Sequence, residues 1–390
     1  MAQIAWLGKK SPFCGNVTYG LSTTEALRQR GHSVNFIHFD TPAVSAGRFA
    51  PESVLQPASP EVALPYLVKS QVYTIPSLGA QRELRESLER LQPDLVHASL
   101  TLSPLDFRLP DLCQQLGLPL VATFHPAFDA GLRNLAAGTQ QLTYQLYAPS
   151  LARFDRVVVF SELQAEVLER LGVRAHRLAV IPNGVDTDLW RPAALPSPEL
   201  AELRRRFAGR RLFLYMGRLA TEKNVEALLR AWRLVRPAGC LLVIVGDGPQ
   251  RSVLQQAAGP DDHVLWWGYE PSLERRLALL QLAEVFLLPS LVEGLSLALL
   301  EAMACGAACV ATDAGADGEV LSGGAGIVIS TQGVTTQLRT LLPVLQDQPV
   351  LTAELGRRAR ERVLERYTLT RNIDALEQLY DTLLGRALAV

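Results

Sequence analysis

Two doubly wound α/β units in one chain, each a parallel sheet covered by helices on both faces, are what this sequence predicts, on three observations. At 390 residues the chain exceeds the size at which a single hydrophobic core keeps growing. Short apolar runs alternate with amphipathic stretches from the first residues onward. A Pro-rich segment, Arg191–Pro198, interrupts that alternation, which then starts again.

In the first half the apolar runs are QIAWLG, SVNFIHF, QVYTI, DLVHASL, PLVATFH and RVVVFS. They are continuous instead of strictly alternating, as strands are when helices cover both faces. Two intervals break the rhythm: the Pro-rich Thr41–Lys69, and the uncharged stretch Asn134–Ala152 between Arg133 and Arg153. Both are candidate substrate-facing elements. Within the second, Leu135, Leu142, Tyr144, Leu146, Tyr147 and Leu151 recur at helical spacing, a pattern that favours a core-facing helix over an interfacial one. The second half repeats the grammar with RLFLYMG, LLVIVG, HVLWWG, EVFLLPS, ACVAT and AGIVIS. The expected boundaries are 1–190, 191–365 and a terminal helix over 366–390 that packs back across the interdomain region.

Composition narrows the function. With 48% hydrophobic and 20% charged residues the chain reads as globular. Residues 1–190 carry 16 Lys and Arg against 17 Asp and Glu, and the remainder 22 against 22, so neither half has the basic excess of a nucleic-acid partner. The five cysteines are scattered without metal-type pairing and fit reduced core residues, which points to the cytoplasm. MAQIAWLGKK lacks the order of a signal peptide, and the apolar stretches are too short to span a bilayer.

In an open parallel sheet, ligands sit beyond the carboxyl ends of the strands, so chemistry is sought there. After LFLYM, Gly217-Arg218-Leu219 and then Thr221-Glu222-Lys223-Asn224 set two cations at one strand exit. Arg offers a planar fork and Lys a mobile point charge, and both suit a diphosphate leaving group. The plainer alternative is a solvated surface pair. After EVFLLPS, Ser296 is a good helix N-cap, and the amides of Gly294, Leu295, Ser296 and Leu297 with the helix dipole make a seat for phosphate. Glu293 falls in the loop before that helix and Glu301 inside it, so one carboxylate is free for sugar hydroxyls and the other for ribose.

Glu293, Glu301 and their setting, PS before and AMACG after, resemble the signature of retaining glycosyltransferases of sequence family 4. IPNGVD (Ile181–Asp186), GRLATEKN (Gly217–Asn224), VGDGP (Val245–Pro249) and WWGY (Trp266–Tyr269) follow in that family's order, so the resemblance covers essentially the whole chain. It implies the GT-B type of fold, two facing Rossmann-like domains with a cleft between them. It also implies that Arg218 and Lys223 bind the donor diphosphate, Glu293 touches the donor sugar and Glu301 binds ribose. The chain departs from many relatives in having Leu295-Ser296-Leu297 where they read Phe-Gly-Leu. Gly15-Asn16, in KKSPFCGNVTYG, stands at the family's glycine-bearing loop, where Gly15 would permit close backbone approach. His125 resembles the family's active-site histidine, which contacts the donor sugar or its diphosphate, and His97 at an analogous strand exit is the weaker choice. By itself a histidine at a strand end is as often structural. Gly246 and Gly248 lack the third glycine of a dinucleotide fingerprint and, with Gly217 and Gly268, are read as shaping the nucleotide pocket.

Asp186-Thr187-Asp188 spells the Asp-x-Asp of metal-dependent transferases, but it follows PNGV instead of a strand of the nucleotide half, while Arg218 and Lys223 already supply positive charge. No metal and no cofactor are expected beyond a UDP-sugar donor. Retention of the sugar's α configuration is implied, with the diphosphate accepting the acceptor's proton. No carboxylate stands near Gly15 to act as an inverting base, where the nearest groups are Lys9, Lys10 and Cys14.

The strings GKKSPFCGNVTYG, QPDLVHASLTLSPLDFRLP and LPSLVEGLSLALLEAM resemble the cyanobacterial digalactosyldiacylglycerol synthase group. That resemblance implies UDP-galactose as donor and monogalactosyldiacylglycerol as glycolipid acceptor, handled by a cytoplasmic enzyme peripheral to a membrane. Alternatives are transfer to another acceptor, a UDP-sugar 2-epimerase of the same fold, and a catalytically silent sugar-nucleotide sensor.

Overall fold

The structure, a computed structural model, describes residues 1–11, 14–40, 61–70, 73–128 and 135–386. Two units emerge, one comprising Met1–His125, Thr143–Ile181 and Asn372–Val390, the other Pro126–Leu142 and Pro182–Arg371. After a first excursion over Pro126–Leu142 the chain enters the second unit again at 182, ahead of the Pro-rich stretch, and its last segment returns to the first.

The first unit is built on a seven-stranded sheet of order β3-β2-β1-β6-β7-β8-β9. Its strands are β1 (Gln3–Leu7), β2 (Ser33–Phe39), β3 (Glu61–Leu64), β6 (Leu95–Ser99), β7 (Leu120–Thr123), β8 (Arg156–Val159) and β9 (Leu178–Val180). Every pairing is parallel. β4 (Tyr66–Lys69) and β5 (Thr74–Pro76) form a separate antiparallel ribbon. QVYTI, expected to extend the parallel sheet, instead contributes β5 to this ribbon, because β4 precedes it by only four residues and a parallel crossover needs a dozen or more. The interval Thr41–Lys69 lies outside the described residues up to 60, and from Glu61 onward it is strand.

The second unit holds six strands in the order β12-β11-β10-β13-β14-β15. They are β10 (Arg211–Met216), β11 (Cys240–Val245), β12 (Val264–Gly268), β13 (Val285–Leu288), β14 (Ala308–Thr312) and β15 (Ile327–Ile329), again all parallel. Helices on both faces leave β11, β13 and β14 without an exposed residue, which is why they read as unbroken apolar runs. Helix Val225–Val235 shows the complementary pattern, burying Val225, Leu228, Leu229 and Trp232 at i, i+3, i+4 and i+7. Trp232 meets Phe213 of β10 edge-on at 5.3 Å between ring centres. Truncating such a residue to Ala costs about 3–5 kcal/mol.

The helix start expected at Ser296 is present, and three further helices begin in the same way. Ser161, Ser197, Ser272 and Ser296 each cap a helix by accepting the amide three residues on. The stretch from Leu135 to Leu151 is one helix that buries Tyr144, Tyr147, Ala148 and Leu151 while Leu142 and Leu146 are exposed. The final helix, Leu369–Leu383, is fastened to the first unit by polar contacts. Arg30 pairs with Asp374 and Glu377, His32 Nε2 lies 2.9 Å from Glu377, and Arg386 reaches Asp94 at 3.0 Å. No helix among the described residues is long and apolar enough to cross a membrane.

Candidate active site

In each sheet the strand order reverses at one place, between β10 and β13 in the second unit and between β1 and β6 in the first. Ligand crevices of doubly wound sheets open at such switch points. Most of the sequence-predicted residues fall there, since Gly217–Lys223 follow β10, Glu293–Glu301 follow β13, and Gly15 and Asn16 follow β1; His125 follows β7, the strand next to β6.

In the second unit Lys223 Nζ and Glu293 Oε1 meet at 2.5 Å, and Ser290 Oγ donates to the same carboxylate oxygen at 2.8 Å. Sequence reasoning assigned this lysine and this glutamate to separate roles; the fold joins them. Arg218 likewise pairs with Glu222, four residues on, across the loop that follows β10. A lysine has three N–H groups, so Lys223 can hold Glu293 and still donate to a phosphate oxygen. The two cations are thus oriented before any ligand arrives, which lowers the reorganisation that charge stabilisation requires.

The glycines cluster by backbone packing. Gly217 N–H donates to Val245 O at 3.0 Å, and Gly246 N–H to Gly268 O at 2.7 Å. Gly246 has φ +136°, and a Cβ there would lie 1.9 Å from Gly217 O; a Cβ on Gly248 would lie 2.3 Å from Leu219 O. Side chains at these two positions would push the Arg218 loop away. Gly268, φ +90°, ends β12 beside Arg251.

Helix Leu297–Ala304 begins as expected, with Ser296 Oγ accepting from Leu299 N–H at 3.3 Å. The phosphate seat is narrower than the sequence implied. Ser296 N–H donates to Asp317 Oδ1 at 3.0 Å, so of the amides around Gly294–Leu297 this one is already engaged. Gly294 O accepts from Ala316 N–H at 2.8 Å, and Leu295 O accepts from Asn183 Nδ2 at 3.1 Å. Asp317 is fully buried, its second oxygen has no partner, and burial together with Glu293 pushes its carboxyl far above the usual range. Asp317 and Asn183 were missed by the sequence reading. Nothing in the spacing of AGADGEV marks Asp317, whereas Asn183 stood inside IPNGVD without a role. Glu301 lies within the helix, nearly buried, its carboxyl pushed up to about 7 by burial and drawn back by Arg276.

Asp186 Oδ1 accepts from the amides of Asp188 and Leu189 at 3.0 and 3.1 Å, a local turn that occupies the first carboxylate of the Asp-x-Asp spelling.

In the first unit a row of polar side chains crosses the strand exits. Asn16 Nδ2 donates to Leu100 O at 3.0 Å, Ser99 Oγ lies 2.9 Å from Asn16 Oδ1, and His125 Nε2 lies 2.7 Å from Ser99 Oγ. Asn16, expected to bind donor, commits one N–H and its amide oxygen to this row. Tyr19 and Phe160 pack their rings against His125 at 4.9 and 5.2 Å. Burial, then the nearby Lys9 ammonium, push the His125 imidazole down to about 3, so it is neutral near pH 7. Lys9 is itself buried, and its pKa is lowered by that burial. Gly15 opens the first helix and a Cβ there would meet nothing within 4 Å, so no packing demands its glycine. His97 is fully buried, its nitrogens 2.5 Å from Tyr380 Oη and 2.7 Å from Thr123 Oγ1. Both polar ends are consumed inside the core, and His97 is a structural residue.

Two doubly wound parallel-sheet units in one chain, the second with two ion pairs and a helix N-terminus at its switch point, make up a fold of the two-domain GT-B type. The comparisons with known proteins agree. Residues 15–189 match the model described as Glycosyltransferase Family 4, and residues 210–347 that described as Glycosyl transferases group 1. Glycogen synthase of Mycobacterium tuberculosis is 30% identical over 314 residues, 78% of this chain and 70% of that one. Alpha-D-kanosaminyltransferase of Streptomyces kanamyceticus is 30% identical over 282 residues, 68% and 71% of the two chains. The chain belongs to this glycosyltransferase family. In fold it is similar to Anabaena HepE, solved in complex with UDP-glucose, with a TM-score of 0.76 at 18% identity over 97% of this chain and 99% of that one. Sucrose-phosphate synthase from Thermosynechococcus elongatus gives 0.77 at 20% identity over 99% of this chain and 100% of that one.

Proposed function

We propose that this glycosyltransferase is a retaining enzyme that moves galactose from UDP-galactose to monogalactosyldiacylglycerol, giving digalactosyldiacylglycerol at the cytoplasmic face of a membrane. The observation that carries the transferase chemistry is the Lys223–Glu293 pair, at 2.5 Å, set beside the N-terminus of helix Leu297–Ala304 at the β10/β13 switch point. Arg218 and Lys223 stabilise the diphosphate as it leaves, the helix amides add dipolar charge, Glu293 takes sugar hydroxyls and Glu301 the ribose. The acceptor hydroxyl attacks from the face the diphosphate leaves, and the diphosphate takes its proton. That HepE is solved with UDP-glucose supports a uridine donor. The galactolipid assignment is supported by the three strings quoted above, and the exposed Leu142 and Leu146 offer apolar contact to a lipid acceptor.

Incubating the purified chain with UDP-galactose, with and without monogalactosyldiacylglycerol vesicles, tests this reading. An α-linked digalactolipid by NMR is expected. A β linkage would overturn retention, an epimerised nucleotide sugar would make the chain a 2-epimerase, and binding without turnover would make it a sensor. Turnover is expected to survive excess chelator; loss that manganese or magnesium restores would return Asp186 and Asp188 to a metal role.

A further inference from the structure

We propose that Asn16 and Ser99 are positioning residues that fix the proton of His125 on Nε2, so that the imidazole presents a bare Nδ1 as a hydrogen-bond acceptor. The order of protons follows from one backbone carbonyl. Leu100 O can only accept, so the end of the Asn16 amide that faces it at 3.0 Å is the NH2 group. Oδ1 of Asn16 therefore faces Ser99 at 2.9 Å and also can only accept, which draws the single hydroxyl proton of Ser99 toward it. With that proton spent, Ser99 Oγ has only lone pairs to offer His125 Nε2 at 2.7 Å, and the contact is a hydrogen bond only if Nε2 carries the proton. Reversing any link would set two lone pairs against each other at hydrogen-bond distance. The rings of Tyr19 and Phe160, tilted 70° and 57° to the imidazole, hold its plane while this happens.

The consequence is a choice of ligand chemistry. A bare imidazole nitrogen accepts a hydrogen bond from a hydroxyl and repels the oxygens of a diphosphate. Resting on the transferase reading above, this assigns His125 to a hydroxyl of a sugar substrate and removes it from the phosphates. It also gives Asn16 a positioning role at the site beside the donor contact expected of it.

Side-chain nitrogen NMR on the full chain, which has six histidines, reads the tautomer without any turnover, with His125→Gln identifying the signal. A protonated Nε2 and a bare Nδ1 are expected in the wild type; the reverse pattern would overturn the proposal. Ser99→Ala should give mixed tautomers and lower kcat about tenfold, the equivalent of one hydrogen bond, with KM for the UDP-sugar unchanged. Ser99→Thr, which keeps the hydroxyl, should restore both. An unchanged His125 signal and kcat in Ser99→Ala would sink the positioning role. A wild type with the expected tautomer but no transfer from any UDP-sugar would defeat the transferase reading and leave the proton order standing.

Discussion

Beyond β10 and β13 the second unit gathers ionised groups in pairs, Lys223 with Glu293 and Arg218 with Glu222. Around His125 the first unit gathers neutral groups in a row, Asn16, Ser99 and the imidazole itself. The two arrangements are built for different loads. Paired charges are suited to a ligand that brings charge and changes it during reaction, because the protein dipoles are already aimed. A neutral row with ordered protons is suited to a ligand that offers hydroxyls and must be held in one orientation. The same fold, with the same kind of switch point, carries both because its strand exits accept whatever side chains follow them.

The largest expected effect breaks the charged side. Lys223→Ala should lower turnover on the order of a hundredfold or more. It also strands Glu293, which is only 6% exposed, so some stability is lost with the lysine. The double variant Lys223→Met with Glu293→Gln separates the two effects. Thermal unfolding should recover toward wild type while activity does not. Near-wild-type rates in either variant would show that the pair is structural.

On the neutral side, His125→Ala should reduce kcat on the order of a hundredfold and leave donor affinity nearly unchanged. Because burial and Lys9 hold His125 at about 3, no limb of the pH–rate profile between pH 5 and 8 should belong to it. A limb near pH 6.5 that vanishes in His125→Ala would mean that the imidazole is protonated in function and that the neutral row is misread.

This contrast marks how far the sequence could be read. The inner strands were legible because helices on both faces force continuous apolar runs, whereas the short edge strands β3 and β9 went unread and QVYTI was placed in the wrong sheet; Ser296 was legible because an N-cap acts within three residues. Glu222 lies four residues from Arg218, within the reach of spacing arguments. The Lys223–Glu293 contact joins residues 70 positions apart and depends on β10 and β13 being neighbours in the sheet, an order that local pattern does not encode. Ser99 looked like any strand-terminal residue, and its value comes from standing opposite Thr123 in the register of β6 with β7, two residues before His125. Asp317 carries no spacing signal, because its role is set by burial against Ser296 and Glu293.

A smaller effect sharpens the charged side through pH. Glu301 titrates near 7 in the folded chain against an ordinary value of 4.5, so the folded state binds its proton more tightly than the unfolded one. Stability is therefore expected to fall as pH rises from about 4.5 through 7, by up to about 3 kcal/mol from this group. Asp106, raised to about 6, and Asp317 contribute with the same sign. Denaturant unfolding of Glu301→Gln at pH 5 and pH 8 should show a flatter dependence than wild type, and an unchanged slope would remove Glu301 as its source. If the carboxylate is what ribose meets, donor KM should fall over the same rise in pH and lose that dependence in the variant.

The smallest effect compares two glycines. At Gly246 a Cβ would lie 1.9 Å from a backbone carbonyl at φ +136°, so Gly246→Ala should cost about 2 kcal/mol or more and displace the Arg218 loop. At Gly15 the same atom would meet nothing, and alanine is the better helix former, so Gly15→Ala should leave the unfolding midpoint unchanged or slightly higher. If a ligand backs against Gly15, the added methyl should lower kcat/KM on the order of tenfold at constant stability, since an ångström of displacement at a reacting centre is expensive. Full activity in a Gly15→Ala chain of unchanged stability would mean that nothing approaches there, and the neutral site would then reach no further toward the helix start than Asn16.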